Sequence, residues 1–219
     1  MKKLLSIVLV LFLVLSLAGC SADDQKTAEI EENEETVEET SEPVQENTET
    51  ISNEEENGTV LVVYFSWSGN LDKMAHWVAD ETGGDLYRVQ PIEAYPSDYN
   101  ATADRAKQEQ DNGVRPEIDI DLSQQQIDSY DTIFFGFPVW WYDLPMSMWT
   151  FLESYDFSDK TIIPFFSHEG SSNGAGALPR VEELAAGADV RSDDALSIRG
   201  RNVADSENEV REWVRGLDY

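Results

Sequence analysis

Val60-Leu-Val-Val-Tyr-Phe-Ser-Trp-Ser-Gly-Asn-Leu71 decides the fold of this chain. Residues 60–65 are an unbroken run of β-branched, aliphatic and aromatic side chains. A run without polar alternation predicts a strand buried on both faces. It breaks into Ser66-Trp67-Ser68-Gly69-Asn70: two hydroxyls, a glycine and an N-cap residue in close order. A helical pattern starts at once, with Leu71, Met74, Ala75, Val78 and Ala79 at three- and four-residue spacing. A strand, a small hydroxyl-rich turn and a helix N-terminus together make an anion site. Free N–H groups leave the turn, and the helix dipole adds partial positive charge. Ser66 and Ser68 add hydroxyl donors. The stretch therefore predicts a phosphate cradle.

Downstream, strands and helices alternate. Gly83-Gly84 stops the first helix. Residues 86–90 read as a second strand ended by Pro91, and a weak helix is expected at about 100–110, followed by an irregular connection over 115–123. Residues 130–137 form a third strand that is apolar on both faces, ended by Pro138, with a helix over about 145–153. Residues 160–167 give a fourth strand, in which Pro164 predicts a bulge or the loss of one ladder bond. A helix over about 177–186 precedes a split, edge-like fifth strand at Val190 and residues 195–198. Ser206, with Glu209 three residues on, predicts a capping box opening the last helix, 206–217. Central strands apolar throughout, each followed by a helix, predict an α/β fold: a parallel sheet covered by helices on both faces.

The N-terminal part differs in kind. Lys2-Lys3, an apolar run over 4–17 and Ala18-Gly19 describe a secretory signal. The apolar run is shorter than the roughly 20 residues a membrane span needs. Cys20, the single cysteine of the chain, follows at once. The arrangement resembles a bacterial lipoprotein signal, which implies acylation of Cys20 and an extracytoplasmic, lipid-anchored protein. Residues 21–58 hold 15 Asp or Glu and one Lys. That composition predicts a disordered acidic linker, which as a flexible coil spans roughly 35 Å. The expected organisation is a signal peptide at 1–19, lipidated Cys20 with the linker to 58, and one domain at 59–219. The domain carries 29 acidic and 12 basic residues, a net charge of −17. Nucleic acid is excluded as a partner, since phosphate backbones need clustered Lys and Arg. The same charge leaves membrane attachment to the lipid. No His, Cys and carboxylate spacing suggests a metal.

Ligands of parallel sheets bind beyond the carboxyl ends of the strands, where the strand order reverses. Three loops lie there: residues 66–71; residues 136–145, which hold Pro138, Val139, Trp140, Trp141 and Tyr142; and residues 167–176, which open on Ser167, His168, Glu169 and Gly170. One suits a phosphate, one offers flat aromatic surface at Trp140 or Trp141, and one is rich in backbone donors. Together they suit a phosphorylated, planar heteroaromatic ligand.

Ser-x-Ser-Gly-Asn after the first strand, Gly-x-Pro-x-Trp-Trp after the third and the Gly/Ser-rich loop after the fourth resemble the flavodoxin family. The likeness is greatest to its short bacterial members with a Pro-x-Trp-Trp loop, and it covers residues 59–219. It implies a flavodoxin-like three-layer sandwich on a five-stranded parallel sheet of order 2-1-3-4-5, with flavin mononucleotide (FMN) as cofactor. The resemblance assigns the phosphate to Ser66, Trp67, Ser68, Gly69, Asn70 and Leu71. It assigns the flavin ring to Pro138, Val139, Trp140, Trp141 and Tyr142, and the pyrimidine edge to Ser167, His168, Glu169 and Gly170. Two positions depart from the pattern. Leu71 stands where the phosphate loop ordinarily ends in Thr, which leaves only a backbone N–H there. The third loop carries no aromatic to cover the outer face of the ring, so that face is open or covered by Tyr95 or Tyr99. His168 has two readings, charge balance at the flavin N1/O2 edge or a partly exposed loop histidine. Glu169 is a flavin contact or a solvated turn residue, and His76 reads as a surface or boundary residue.

The implied activity is redox. The protein is an electron carrier for a partner protein, or an NAD(P)H-linked reductase of a small quinone-like acceptor. Its acidic domain disfavours added negative charge on the ring and predicts a low reduction potential. The alternative is a binding or sensor module that keeps the fold without flavin chemistry.

Overall fold

The computed structural model describes residues 59–119, 121–170, 174 and 176–219. The signal, Cys20 and the acidic linker lie outside the described residues, as do residues 171–173 and 175 of the third loop. Among the described residues no helix is long and apolar enough to cross a membrane.

In chain order the elements are β1 (Val60–Tyr64), α1 (Asn70–Thr82), β2 (Asp85–Arg88), β3 (Gln90–Pro91), α2 (Tyr99–Asn112), β4 (Ile118–Asp119) and α3 (Gln124–Asp128). There follow β5 (Thr132–Pro138), α4 (Met146–Ser154), β6 (Thr161–His168), α5 (Ala177–Leu184), β7 (Asp189–Val190), β8 (Leu196–Arg199) and α6 (Glu207–Arg215). Two 3-10 turns, Ser192–Asp194 and Gly200–Asp205, flank β8.

The main sheet runs β2-β1-β5-β6, and β7 and β8 share its last edge. All of its pairings are parallel. With β7 and β8 taken as one interrupted strand, this is the expected order 2-1-3-4-5. Pro164 explains the interruption. Ile162, which faces the same way two residues earlier, accepts a bond from Arg191 N at 2.9 Å. The missing N–H of Pro164 thus faces the gap between β7, which pairs at residues 161–162, and β8, which pairs at 165–168. No bulge forms: pairing with β5 advances residue by residue from Thr132↔Thr161 to Pro138↔Ser167.

Alternate strand residues feed two cores. Val60, Val62, Tyr64, Phe134, Ile163 and Phe165 pack with Leu71, Met74 and Val78 of α1 and with Val210 and Val214 of α6. On the other face, residues such as Leu61, Ile133, Phe135 and Ile162 pack with Ile127 of α3, Met148 and Phe151 of α4 and Val181 of α5. The result is three layers, helix on sheet on helix.

Several local expectations need correction. The connection over 115–123 holds β4, which pairs antiparallel with β3. Pro91 therefore lies inside a short strand rather than ending β2, and β2 itself stops at Arg88. The Ser206 capping box does not form: Ser206 Oγ donates to Asn202 O at 3.0 Å, the preceding 3-10 turn having supplied a nearer acceptor. A capping box does form at Ser123, which exchanges bonds with Gln126 and starts α3. Gly83 ends α1 as expected, at φ 69° with its N–H on Ala79 O at 2.8 Å.

Candidate functional site

The carboxyl ends of β1, β5 and β6 open on one cavity of about 600 Å³. Its first wall is the turn into α1. The N-cap of α1 is Gly69, at φ 88°, and Asn70 is the first helical residue, which corrects its placing as the cap. Glycine suits this backbone because it carries no Cβ penalty at positive φ. Ser66 is buried, and its Oγ closes the turn by accepting from Gly69 N at 3.1 Å, which leaves its O–H free to donate. Among the described residues no acceptor takes the backbone N–H of Ser68, Asn70 or Leu71. The Leu71 side chain packs in the core with Met74 and Ala75, so position 71 offers the site only its N–H. Trp67, Ser68 and Asn70 line the cavity. The Trp67 indole is tied by its N–H to Pro96 O at 2.8 Å.

The second wall is the loop after β5, where Pro138, Val139, Trp140, Trp141 and Tyr142 all line the cavity. Trp140 and Asp143 exchange two backbone bonds of 2.9 Å. The residues between them, Trp141 and Tyr142, take φ 47° and 67°. This is a two-residue turn of the kind that favours Asn-Gly, built here from two large aromatics at some conformational cost. The surroundings hold it. Trp141 Nε1 donates to Ala103 O of α2 at 2.9 Å, and Gln110 Nε2 donates to Trp141 O at 3.4 Å. Trp140 is half-buried and edge-on to Phe65 and Tyr95, with ring centres 5.5 and 5.0 Å away. Trp141 and Tyr142 are exposed, at 45% and 61%.

The third wall follows β6. Ser167 is buried, and its carbonyl accepts from Val139 N at 2.8 Å, joining the second and third loops. His168 is half-buried, and its Nδ1 is buried with no partner among the described residues. Glu169 and Gly170 are exposed, and all four of these residues line the cavity. The third loop also reaches the first. A Cβ on Gly200, just after β8, would lie 2.3 Å from Glu169 Oε1 and 2.9 Å from Asn70 Nδ2.

A fourth wall was expected only at Tyr99. Tyr99, Thr102, Ala103 and Ala106 of α2 line the cavity. Their spacing along one helical face was the available signal, but nothing local says where that face points. Tyr99 thus stands at the cavity, 67% exposed, whereas Tyr95 lies behind Trp140. The Tyr95 hydroxyl donates to Glu109 Oε2 at 2.5 Å, and the Arg105 guanidinium covers its ring at 4.4 Å. Burial first, and the Glu109 bond second, raise its pKa well above the ordinary tyrosine value.

A sequence model of the family described as Flavodoxin matches residues 59–217. The chain belongs to the flavodoxin family. Among solved structures it is similar to a flavoprotein of Bacteroides uniformis ATCC 8492, with TM-score 0.61 and 32% identity over 72% of this chain and 98% of that one. A flavoprotein of Bacteroides eggerthii DSM 20697 gives 0.60 and 28%, over 73% and 97%. A flavoprotein of Lactobacillus acidophilus NCFM, solved in complex with FMN, gives 0.54 and 26%, over 69% and 99%. No curated protein matches the chain. The donor set of this flavodoxin-family site fits a phosphorylated aromatic ring: free N–H groups and hydroxyls at the start of α1, indoles on the second loop, and an unpartnered His168 Nδ1 on the third.

Proposed function

We propose that this flavodoxin-family protein binds FMN and works as a redox protein outside the cytoplasmic membrane, held there by acylated Cys20. The observation that carries the reading is the meeting of three loops at one cavity, with unpaired N–H donors at one end and tryptophans at the other. The phosphate sits on the N–H groups of Ser68, Asn70 and Leu71, with the Ser66 and Ser68 hydroxyls and the Asn70 amide as further donors. Gly69 shapes the turn, and Trp67 walls it. The ring lies along the loop from Pro138 to Tyr142, and its polar edge meets Ser167, His168, Glu169 and Gly170. Bound FMN supplies the reversible redox chemistry, while the protein sets orientation and access.

The exposed rings of Tyr99, Trp141 and Tyr142 at the cavity favour a small planar acceptor of the quinone class. The net charge of −17 on residues 59–219 favours a second reading, electron transfer to a basic protein partner. One experiment separates these readings from a module without flavin chemistry. The purified chain is expected to be yellow, or to turn so with added FMN, and to be reduced by NADH or NADPH and reoxidised by a quinone. A colourless protein that takes up no FMN overturns the proposal. A flavoprotein inert to quinones leaves the protein-partner reading. Attachment is tested by incorporation of labelled fatty acid into the chain and its loss in Cys20→Ala.

A further inference from the structure

Arg88 closes β2, on the strand beside β1 and next to the turn into α1. It does not line the main cavity. It stands behind the first loop, at a small recess shared with Phe65, Ser66 and Trp67. Its Nη2 donates to the Ser66 carbonyl at 2.7 Å, and its Nη1 lies 3.1 Å from Asp72 Oδ1. Asp72 is the acidic residue in the first turn of α1. Its Oδ2 lies 3.9 Å from the point a Cβ on Gly69 would occupy. A fixed carboxylate therefore sits at the same helix end that offers its N–H groups to an anion. Uncompensated, it opposes that anion. Tyr64, buried in β1, feels this carboxylate: after burial, the nearby Asp72 charge is the next cause that raises its hydroxyl pKa.

We propose that Arg88 is a positioning residue of the phosphate loop. It fixes the Ser66 peptide from behind, so that the N–H groups after it face the ligand, and it cancels the charge of Asp72, so that the helix end accepts a dianionic phosphate. The assignment rests on the FMN reading of the site. It separates phosphate from ring: Arg88 governs the affinity for a flavin phosphate ester and not the affinity for the ring alone.

The test is a pair of titrations of the purified full chain, one with FMN and one with riboflavin, followed by flavin fluorescence. Arg88→Met is expected to weaken FMN about tenfold and riboflavin less than about twofold. Arg88→Lys keeps the charge but not the two-pronged contact, and is expected to lose about threefold for FMN only. Adding Asp72→Asn to Arg88→Met is expected to recover most of the FMN loss, because the repulsion is then gone. Thermal unfolding of the flavin-free variants separates a misfolded chain from a weakened loop. In a parent that binds FMN, equal losses for both flavins, no loss for either, or no recovery in the double variant overturns the assignment alone. A parent that binds neither flavin overturns the site reading and this assignment with it.

Discussion

At the residue scale, the cradle is a matter of who holds each donor. Ser66 spends its oxygen on Gly69 N and is buried, whereas Ser68 and Asn70 face the cavity. In the proposed cradle those two side chains are therefore the separable part of phosphate recognition. Replacing both, in Ser68→Ala with Asn70→Ala, is expected to weaken FMN about thirtyfold, or ~2 kcal/mol, and to spare the fold. Unchanged affinity by fluorescence titration places the cradle elsewhere. Leu71 illustrates a different lesson. In sequence it reads as a missing hydroxyl; in the fold its side chain is a core residue under α1, where truncation to Ala is expected to cost about 3 kcal/mol of stability.

At the element scale, the strained turn at Trp141 and Tyr142 depends on its neighbours. α2 grips it through Ala103 and Gln110, and the start of α5 comes up against it from another side. A Cβ on Gly176 would lie 2.1 Å from the Tyr142 carbonyl oxygen, a backbone contact that no rotamer relieves. Gly176→Ala is therefore expected to destabilise the protein by about 2 kcal/mol and to weaken ring binding, as read by denaturant unfolding and by riboflavin titration. Native stability with native riboflavin affinity contradicts this. α4 and α5 are joined near the same turn by Trp149, whose ring lies between the Arg115 and Arg180 guanidinium groups at 4.5 and 4.4 Å. Arg180 Nε also lies 3.5 Å from Asp143 Oδ2, at the foot of the turn.

At the scale of the whole molecule, two properties follow from burial and charge. Burial, with Asp72 as the second cause, pushes the Tyr64 hydroxyl up to about 12, and burial with Asp85 raises Tyr130 as well. The folded state thus prefers these phenols neutral. Their contribution to stability is complete below the ordinary value of 10.0 and is lost as pH rises through the folded value. Alkaline titration is expected to show tyrosinate absorbance from Tyr64, Tyr95 and Tyr130 only together with loss of circular dichroism. Ionisation of all eight tyrosines in a still-folded protein contradicts it. The second property is the acidic surface, which opposes added negative charge on a bound flavin. The FMN-loaded protein is expected to have a reduction potential below that of free FMN in a dye-coupled redox titration, and a value well above it refutes the argument.

What the sequence determined by itself lies in contiguous segments. The apolar strand, the hydroxyl turn and the 3.6-residue pattern of α1 are neighbours in the chain, so their meaning survives without the fold; so does the alternation that predicts a parallel sheet. Pro164 marks the place where the last strand breaks, because a missing N–H is a local fact. The tertiary structure decided everything that depends on which surfaces meet. It brought the face of α2 onto the cavity, Arg88 behind the first loop and Gly200 between Glu169 and Asn70. It also overrode the Ser206 box, since a 3-10 turn brought the Asn202 carbonyl within reach. These contacts join residues from separate elements, and no local propensity encodes such a distance.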